Sequence, residues 1–513
     1  MNFIDKFLNN ITMYRLVLYG LATLAVIAIA LCGFGLLLPS VGWVALSLGL
    51  VTSVITCFVV NFGLAKLFGA PTNVESNFIS AFILFFILAP IAVFSDLWIF
   101  VFVGALTMSS KFLFAMNKKH IFNPVAIALV LVGLAGSGVA IWWIATPVMF
   151  LPTVVLGFLV LRKLRRFTLF FSFLIPAVVT IAVVGMMING MSLSAVLVPV
   201  LFSWSIIFFG TIMLTEPQTT PPAVWSQVTY GALTGLIFGS QLHFGSFAST
   251  PEMALVVGNI FSYIFSPKQK LILRLREKKQ LADNTYEFTF ARADGKNVGL
   301  YFRPGQYLEW TLDHAGSDSR GNRRYFTIAS SPTERDIKIG IRTTPVKPSS
   351  FKKALLALPT DSVVVASSLA GNFTLPEDSN KKLVWIAGGI GVTPFRSMTQ
   401  YLLDQKEKRD VVHFYSNKTS ADIAYQDIFN RASSEIGVRT VYALSDLANV
   451  PQGWPGEKGF VDKNMILKYV PDYAERVYYI SGPHGMVTAF ETMLVSMGVK
   501  RSHIRSDFFP GFA

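Results

Sequence analysis

Hydrophobic positions run almost unbroken through the first half of the chain, and through the second half they alternate with polar ones. Apolar stretches of spanning length, or slightly short of it, lie at roughly 13–37, 41–66, 78–94, 96–110, 124–144, 147–162, 167–188, 192–213, 226–242 and 251–266. At about 20 residues per crossing, this pattern predicts about ten membrane helices. After Pro267 the runs shorten. "LILRLREKK", "TYEFTFARA", "QYLEWTLD", "YFTIASS", "DIKIGIRTT" and "SVVVASS" are strand-like and separated by turns, which predicts a small antiparallel β-barrel. From Lys382 the runs "LVWIA", "VVHFY", "TVYAL" and "RVYYI" are of buried type and are spaced by helix-length segments, as in a doubly wound α/β domain with a parallel sheet. The expected organisation is a multi-pass α-helical membrane domain at 1–266, a β-barrel at 267–378 and an α/β domain at 379–513.

Charge supports the membrane assignment. Only 14% of the residues are charged and 52% are hydrophobic. Lys66, Lys111, Lys118, Lys119 and "RKLRR" (Arg162–Arg166) all follow even-numbered spans, whereas "LLLPSVGW", "FSDLW", "INGMSLS" and "HFGSFASTPE" contain no Lys or Arg. By the positive-inside rule the even-numbered ends face the cytoplasm. That predicts a protein of the inner (cytoplasmic) membrane with both termini and the whole polar half on the cytoplasmic side. The net charge of +14 is then explained by loops facing anionic lipid, and no nucleic-acid partner is expected. The first apolar run is too long for the core of a signal peptide, so an uncleaved helix is expected. The two cysteines, Cys32 and Cys57, both fall in predicted spans. They cannot supply an iron–sulfur cluster or a zinc ribbon, and no metal site is expected.

Three motifs carry chemistry. "RRYFTIASS" puts a cation, a ring and a hydroxyl in adjacent places, at Arg324, Phe326 and Thr327; alone it also fits an ordinary strand with an exposed arginine. "AGGIGVTPFRSM" runs from a strand through Gly388, Gly389 and Gly391 into a helix, with Thr393 as a suitable N-cap. A helix N-terminus after such a turn suits a pyrophosphate. "SGPHGM" is a second turn of this kind, so that two turns bracket the crevice at the carboxyl ends of an open sheet.

Together, in this order and over Pro267 to Ala513, these motifs resemble the ferredoxin–NADP reductase family. The resemblance implies FAD bound through Arg324, Tyr325, Phe326 and Thr327. Arg324 would pair with the pyrophosphate, Phe326 stack on the isoalloxazine and Thr327 hydrogen-bond near N5; the family usually has tyrosine at the position of Phe326. Ser349 and Ser350 of "PSSFKKAL" would hold the same pyrophosphate. Gly388, Gly389, Gly391, Thr393, Gly482 and Pro483 would hold NAD(P)H. Ser481 replaces the family's cysteine beside the hydride path, Asp507 stands in for its nearby acid, and Phe512 resembles the terminal aromatic that covers the flavin. Thr327, Ser481 and Asp507 are thus the implied catalytic set. Beyond the second strand of the α/β domain, Lys418 is a poor cluster for a 2′-phosphate, which favours NADH over NADPH.

A haem path is excluded, because the membrane half has only His120 and His243, expected on opposite sides. "SSKFLFAMNKKHIFNPVA", "IMLTEPQTTPP" and "PEMALVVGNIFSY" resemble instead the NqrB/RnfD-type, flavin-carrying membrane subunits of sodium-pumping NADH:quinone reductase and Rnf complexes. In these strings Asn123 reads as an N-cap with Pro124 opening a helix, and Glu216, Gln218, Thr219 and Thr220 form a polar cluster able to line a flavin or quinone site. The family's covalent-flavin motif "S/T-G-A-T" is missing; the nearest string is "IATP" at Thr146, so a second flavin would be non-covalent. The resemblances imply a flavoprotein oxidoreductase passing hydride from NAD(P)H to FAD and electrons on to a membrane flavin, a quinone or a small redox protein. The alternatives are a reductase merely anchored in the membrane lipid, of ferredoxin or flavodoxin type, and a redox-coupled ion-transport subunit.

Overall fold

The computed structural model describes all residues except 1–3, 5–6, 9–10, 39, 69–73, 92, 117–118, 137, 139, 203–204, 222–223, 245–246, 266–270, 296–299, 313, 315–321, 345–348 and 510–513. The chain divides into two compact units with the boundary between Gln269 and Lys270.

The first unit is helical: α1 (Met13–Gly33), α2 (Trp43–Leu67), α3 (Val74–Ile87), α4 (Leu97–Leu113), α5 (Pro124–Leu134), α6 (Pro147–Leu164), α7 (Phe167–Val183), α8 (Leu193–Phe202), α9 (Ile206–Phe208, continued by a π-turn Phe209–Met213), α10 (Val224–Gly239) and α11 (Pro251–Ile264). Among the described residues, five helical stretches are long and apolar enough to cross a membrane: Met13–Gly33, Trp43–Leu67, Phe94–Leu113, Pro147–Leu164 and Phe167–Ile188. The spans expected at 78–94 and 124–144 stop early, at Ile87 and Leu134, and the one at 192–213 is interrupted between α8 and α9. A helix that stops inside an apolar unit must find partners for its last carbonyls. Here the chain after α5 supplies them for α3: Trp142 N donates to Ile87 O at 3.0 Å, Ile144 N to Phe86 O at 3.3 Å, and the Trp143 indole to Phe85 O at 2.6 Å.

These helices form two copies of one packing scheme. In the first, α1 and α2 both pack on α3, α2 packs on α4 and α4 on α5; in the second, α6 packs on α9, α7 on the π-turn that continues α9 and on α10, and α10 on α11, with α8 an addition that packs on α7. The copies meet through α1 with α6 and α5 with α11. Each short helix α5 and α11 opens on a capped proline, Asn123–Pro124 or Thr250–Pro251, and each is preceded by a two-residue-strand hairpin: β1 (Ala115–Met116) with β2 (Lys119–His120), and β3 (His243–Phe244) with β4 (Phe247–Ala248).

The second unit holds two six-stranded sheets. The antiparallel sheet comprises β5 (Leu271–Ala282), β6 (Thr285–Arg292), β7 (Tyr307–Thr311), β8 (Arg323–Thr327), β9 (Ile337–Arg342) and β10 (Val363–Ala370), in the order β8-β7-β10-β5-β6-β9. Its alternate residues, among them Leu273, Phe288, Phe290, Trp310 and Ile339, build one core closed by α12 (Ser350–Ala357). A closed barrel is expected from the sequence; the ladders described here form an open sheet, whose edges are drawn together where Ala329 N, just past β8, donates to Lys338 O of β9 at 2.7 Å.

The other sheet is parallel throughout: β11 (Leu383–Gly388), β12 (Val411–Asn417), β13 (Arg439–Leu444), β14 (Glu457–Lys458), β15 (Val477–Pro483) and β16 (Ile504–Phe509), in the order β14-β13-β12-β11-β15-β16. Both faces are covered. Trp385, Tyr415 and Tyr479 face α13 (Thr393–Gln405) and α14 (Gln426–Glu435), while Val384, Phe414 and Ile480 face α15 (Lys463–Tyr469) and α16 (His484–Ser496). Burial on both faces explains why these strands read as continuous apolar runs. The strand order reverses between β11 and β15, which is where such sheets open a crevice for ligands.

Candidate functional site

The crevice at this reversal is built by two turns. β11 ends at Gly388, and a 3₁₀ turn Gly389–Val392 leads into α13. Gly389 has φ +54°, a left-handed conformation that glycine adopts without strain. Gly391 is required by contact: a Cβ there would stand 2.3 Å from Ser481 O, and at Gly388 it would stand 2.2 Å from Met486 Sδ. The two turns are therefore packed directly against each other. Thr393 is expected to cap α13 but is its first helical residue; the 3₁₀ turn already supplies the entry, and Thr393 Oγ1 donates back to Ile390 O at 3.2 Å.

Ser481, at the end of β15, is fully buried, and its hydroxyl has no hydrogen-bond partner. Gly482 and Pro483 finish the strand and α16 follows. Asp507 on β16 is the register partner of Ser481, so the one acid of the implied set lies beside one of its two hydroxyls. Phe512 lies outside the described residues.

On the antiparallel sheet, β8 carries the cation, ring and hydroxyl. Arg324 and Phe326 flank one ring: the Arg324 guanidinium lies 5.3 Å from the centroid of Phe351, and the Phe326 ring is 5.7 Å from it. Phe351 follows Ser350, and Ser349 caps α12 by accepting from Lys352 N at 3.2 Å. Arg324, Phe326, Ser349 and Ser350 are thus gathered at the start of α12. His314 joins them, with Nε2 3.0 Å from Ser350 Oγ. Tyr325 points the other way, its ring 5.5 Å from Tyr307 and its hydroxyl donating to Glu309 at 3.3 Å. Thr327 is 3% exposed, and its Oγ1 has no partner.

Several residues at this crevice escape sequence reasoning. Gly340 of β9 leaves room for the start of α13, since a Cβ there would stand 2.7 Å from Thr393 Cγ2 and 2.9 Å from the Tyr425 hydroxyl. Arg342 reaches across from β9 to Asp422, 2.6 Å away, and would lie 3.3 Å from a Cβ at Gly389. Arg396, Ser397 and Glu334 tie α13 to the tail of β8. Burial works to raise the Glu334 pKa, but the hydrogen bond and charge of Arg396 hold it below the usual carboxylate value. An arginine three residues into an otherwise apolar helix start was the available signal. At the end of β12, Asn417 is buried with both amide atoms unpartnered, and Lys418 follows it.

In the first unit the polar cluster at Glu216 is assembled from both copies. Asn123 caps α5, accepting from Val125 N and Ala126 N at 3.1 Å, and donates to Glu216 Oε2 at 2.9 Å. Asn259, fully buried in α11, accepts from Asn123 N at 2.7 Å and donates to the Tyr230 hydroxyl at 3.2 Å. Thr219 donates to Glu216 at 3.2 Å, and His120 Nε2 lies 3.8 Å from its other oxygen. Thr220 donates to the Glu216 carbonyl at 2.6 Å and is turned away from the carboxylate.

A dinucleotide cofactor passes a test of fit at the second unit. Buried hydroxyls without partners are costly; Ser481 holds one beside the glycine turn that begins at Gly388, and Thr327 holds another at the end of β8. Comparison with known proteins agrees. Residues 385–492 match the family model of the oxidoreductase NAD-binding domain. The glycine betaine monooxygenase reductase subunit of Chromohalobacter salexigens is 28% identical over 227 residues, 43% of this chain and 60% of that protein. A flavohemoprotein of Bacillus thuringiensis is 26% identical over 242 residues, 45% of this chain and 59% of that protein. The FAD/NAD-binding domain of nitric oxide dioxygenase from Vibrio cholerae superposes with a TM-score of 0.42 at 20% identity, covering 47% of this chain and 98% of that one. The chain thus spans about 60% of the length of the curated relatives it matches. Its second unit contains a stretch, residues 385–492, similar to the oxidoreductase NAD-binding domain, and is similar over most of its length to parts of a monooxygenase reductase subunit and a flavohemoprotein.

Proposed function

We propose that the chain is a membrane-bound NAD(P)H-dependent flavin oxidoreductase that hands electrons to an acceptor in or at the membrane. The observation that carries this reading is the NAD-binding domain match, coupled to two unpartnered buried hydroxyls, Ser481 at the strand reversal and Thr327 at the end of β8. Bound FAD would take the hydride leaving nicotinamide C4, with its two electrons, and release those electrons one at a time. Arg324, Ser349 and Ser350 would hold the FAD pyrophosphate, the arginine by a forked contact. Phe326 would support the flavin ring, and Thr327 would offer its hydroxyl at N5. The turn at Gly389, beside the Arg342 guanidinium, would admit the NAD(P)H pyrophosphate at the start of α13. Ser481 would orient the nicotinamide, with Asp507 beside it. Lys418 alone is a weak 2′-phosphate site, and Asp422 stands nearby, which favours NADH.

The membrane reading rests on the five long apolar helices and on their outward faces. Val26, Phe62, Leu151 and Ile175 are all more than half exposed, as side chains meant for lipid would be. Together with the loop charges, this favours a cytoplasmic face for both termini and the reductase unit. The likeness to NqrB/RnfD-type subunits supports an acceptor site at the Glu216–Asn123–Asn259 junction, taking a non-covalent flavin or a quinone. The rival readings are a reductase whose helices only anchor it, serving a small redox protein, and a subunit in which redox drives ion movement.

The test is the flavin content and optical spectrum of the purified full-length protein, followed by NADH reduction with and without quinone. Two flavins per chain or quinone-dependent turnover supports a membrane acceptor. One flavin with turnover only through a soluble protein supports the anchor, and sodium-dependent turnover supports ion coupling. A preparation without flavin that leaves NADH and NADPH unoxidised would sink the reading altogether.

A further inference from the structure

The strand that carries Thr327 and the helix that begins at Thr393 are tied to each other by a buried clasp. Arg396, 4% exposed, donates from Nη1 to Ala329 O at 3.0 Å and grips the Glu334 carboxylate with both terminal nitrogens, Nη2 to Oε1 at 3.0 Å and Nη1 to Oε2. Its neighbour Ser397 donates to Ser330 O at 2.6 Å. Glu334 also accepts from Ser331 N at 2.6 Å and lies 3.1 Å from Lys338 Nζ, so it closes the loop between β8 and β9 on itself. The clasp therefore holds residues 329–331, the tail of the motif strand.

Its lever arms are short and stiff. Ala329 is two residues beyond Thr327 in extended chain, and Arg396 is one helical turn beyond Thr393. No flexible segment intervenes on either side. Gly340 lets the sheet approach the helix start to contact distance, and the clasp fixes where that approach stops. Resting on the function proposed above, these arms end at Thr327, which would meet the flavin, and at Thr393, which would meet NAD(P)H. Hydride transfer needs its reacting atoms about 3–3.5 Å apart, and a misplacement of about 1 Å costs on the order of a hundredfold in rate.

We propose that Arg396 is a positioning residue for hydride transfer: forked onto Glu334, it sets the separation of the Thr327 strand from the Thr393 helix, and with it the separation of the two cofactor sites. It acts through the backbone of residues 329–331.

The experiment uses the full-length protein in detergent with NADH as reductant. Arg396→Lys keeps the charge but cannot fork, and Ser397→Ala removes one hydroxyl. We expect Arg396→Lys to slow single-turnover flavin reduction on the order of tenfold or more, with FAD per chain and NAD⁺ affinity within twofold of wild type. Amide exchange over residues 328–334 should quicken in the same variant without nicotinamide present. Ser397→Ala should show both effects more weakly. Arg431→Ala, at the exposed Arg431–Glu435 pair, should leave all readouts unchanged. Wild-type reduction rates in Arg396→Lys, a loss of rate matched by a loss of FAD, or an equal loss in Arg431→Ala would each overturn the proposal. Wild-type protein that holds no FAD and oxidises no NADH would overturn the proposed function with it, so the two failures are distinguishable.

Discussion

Gly391 shows how completely one residue can be dictated by what lies opposite. A methyl group there would stand 2.3 Å from a backbone oxygen, which cannot swing aside as a side chain can. Gly391→Ala should therefore push the two turns apart and raise the KM for NADH at least tenfold, while bound FAD, held on the other sheet, stays at wild-type content; steady-state kinetics and flavin absorbance check both. Arg324→Ala makes the converse prediction. Loss of the guanidinium beside Phe351 should strip FAD from the purified protein and abolish NADH oxidation, and full retention of both would refute its assigned role. His413 illustrates a cost carried at the residue scale. It sits fully buried among Trp385, Phe395, Tyr415 and Phe429 with neither ring nitrogen partnered, and burial pushes its pKa down to about 3. Its folded pKa lies below the unfolded value near 6.5, so the unfolded chain binds the proton first and stability falls as pH drops from about 6.5 toward 3. At pH 5.5 the loss is on the order of 1.4 kcal/mol. His413→Phe should flatten that part of the pH–stability profile in denaturant titrations.

At the scale of elements, legibility tracked how local each signal is. The alternation in β5 to β10 and the continuous apolar runs of β11, β12, β13 and β15 depend on which faces of a strand are covered, and a strand writes that pattern into its own sequence. The glycine turns were legible because glycines clustered between a strand and a helix mark a tight turn, although what requires Gly391, the backbone of Ser481, lies far away in sequence. The short edge strands β14 and β16 and the early stops of α3 and α5 were not legible. Hydropathy runs on past Ile87 and Leu134, and at α3 the freed carbonyls are taken up by residues 142–144, remote in sequence from it. Arg342 and Arg396 were missed for the same reason, since their partners Asp422 and Glu334 are 80 and 62 residues away. Of the motif residues, Arg324, Phe326, Ser349 and Ser350 gather as a group and Ser481 pairs with Asp507, whereas Tyr325 turns to the other face of β8. Asn123 was legible as a cap, and its second bond was not. Asn123→Ala removes a capping oxygen, costing about 1 kcal/mol, and also a donor to Glu216. Its thermal midpoint in detergent should fall by more than that of Thr250→Ala, whose hydroxyl caps α11 at 3.3 Å.

The whole molecule joins a two-sheet unit to a helical unit whose packing repeats. The second unit follows the rule that ligands bind where an open sheet reverses its strand order, and the match over 385–492 falls on that sheet. The first unit's repeat has a further consequence, visible when the copies are aligned on their prolines. Glu216 before Pro217 corresponds to Ala89 before Pro90; Glu252 and Asn259 after Pro251 correspond to Val125 and Val132 after Pro124. The architecture is duplicated but the polar equipment is not. On the function proposed above, the Glu216 junction would take one acceptor per chain, and equilibrium titration of the purified protein with quinone should saturate at a single equivalent. Ala89→Glu, which puts a carboxylate at the corresponding point of the first copy, should lower the thermal midpoint in detergent while adding no second binding equivalent.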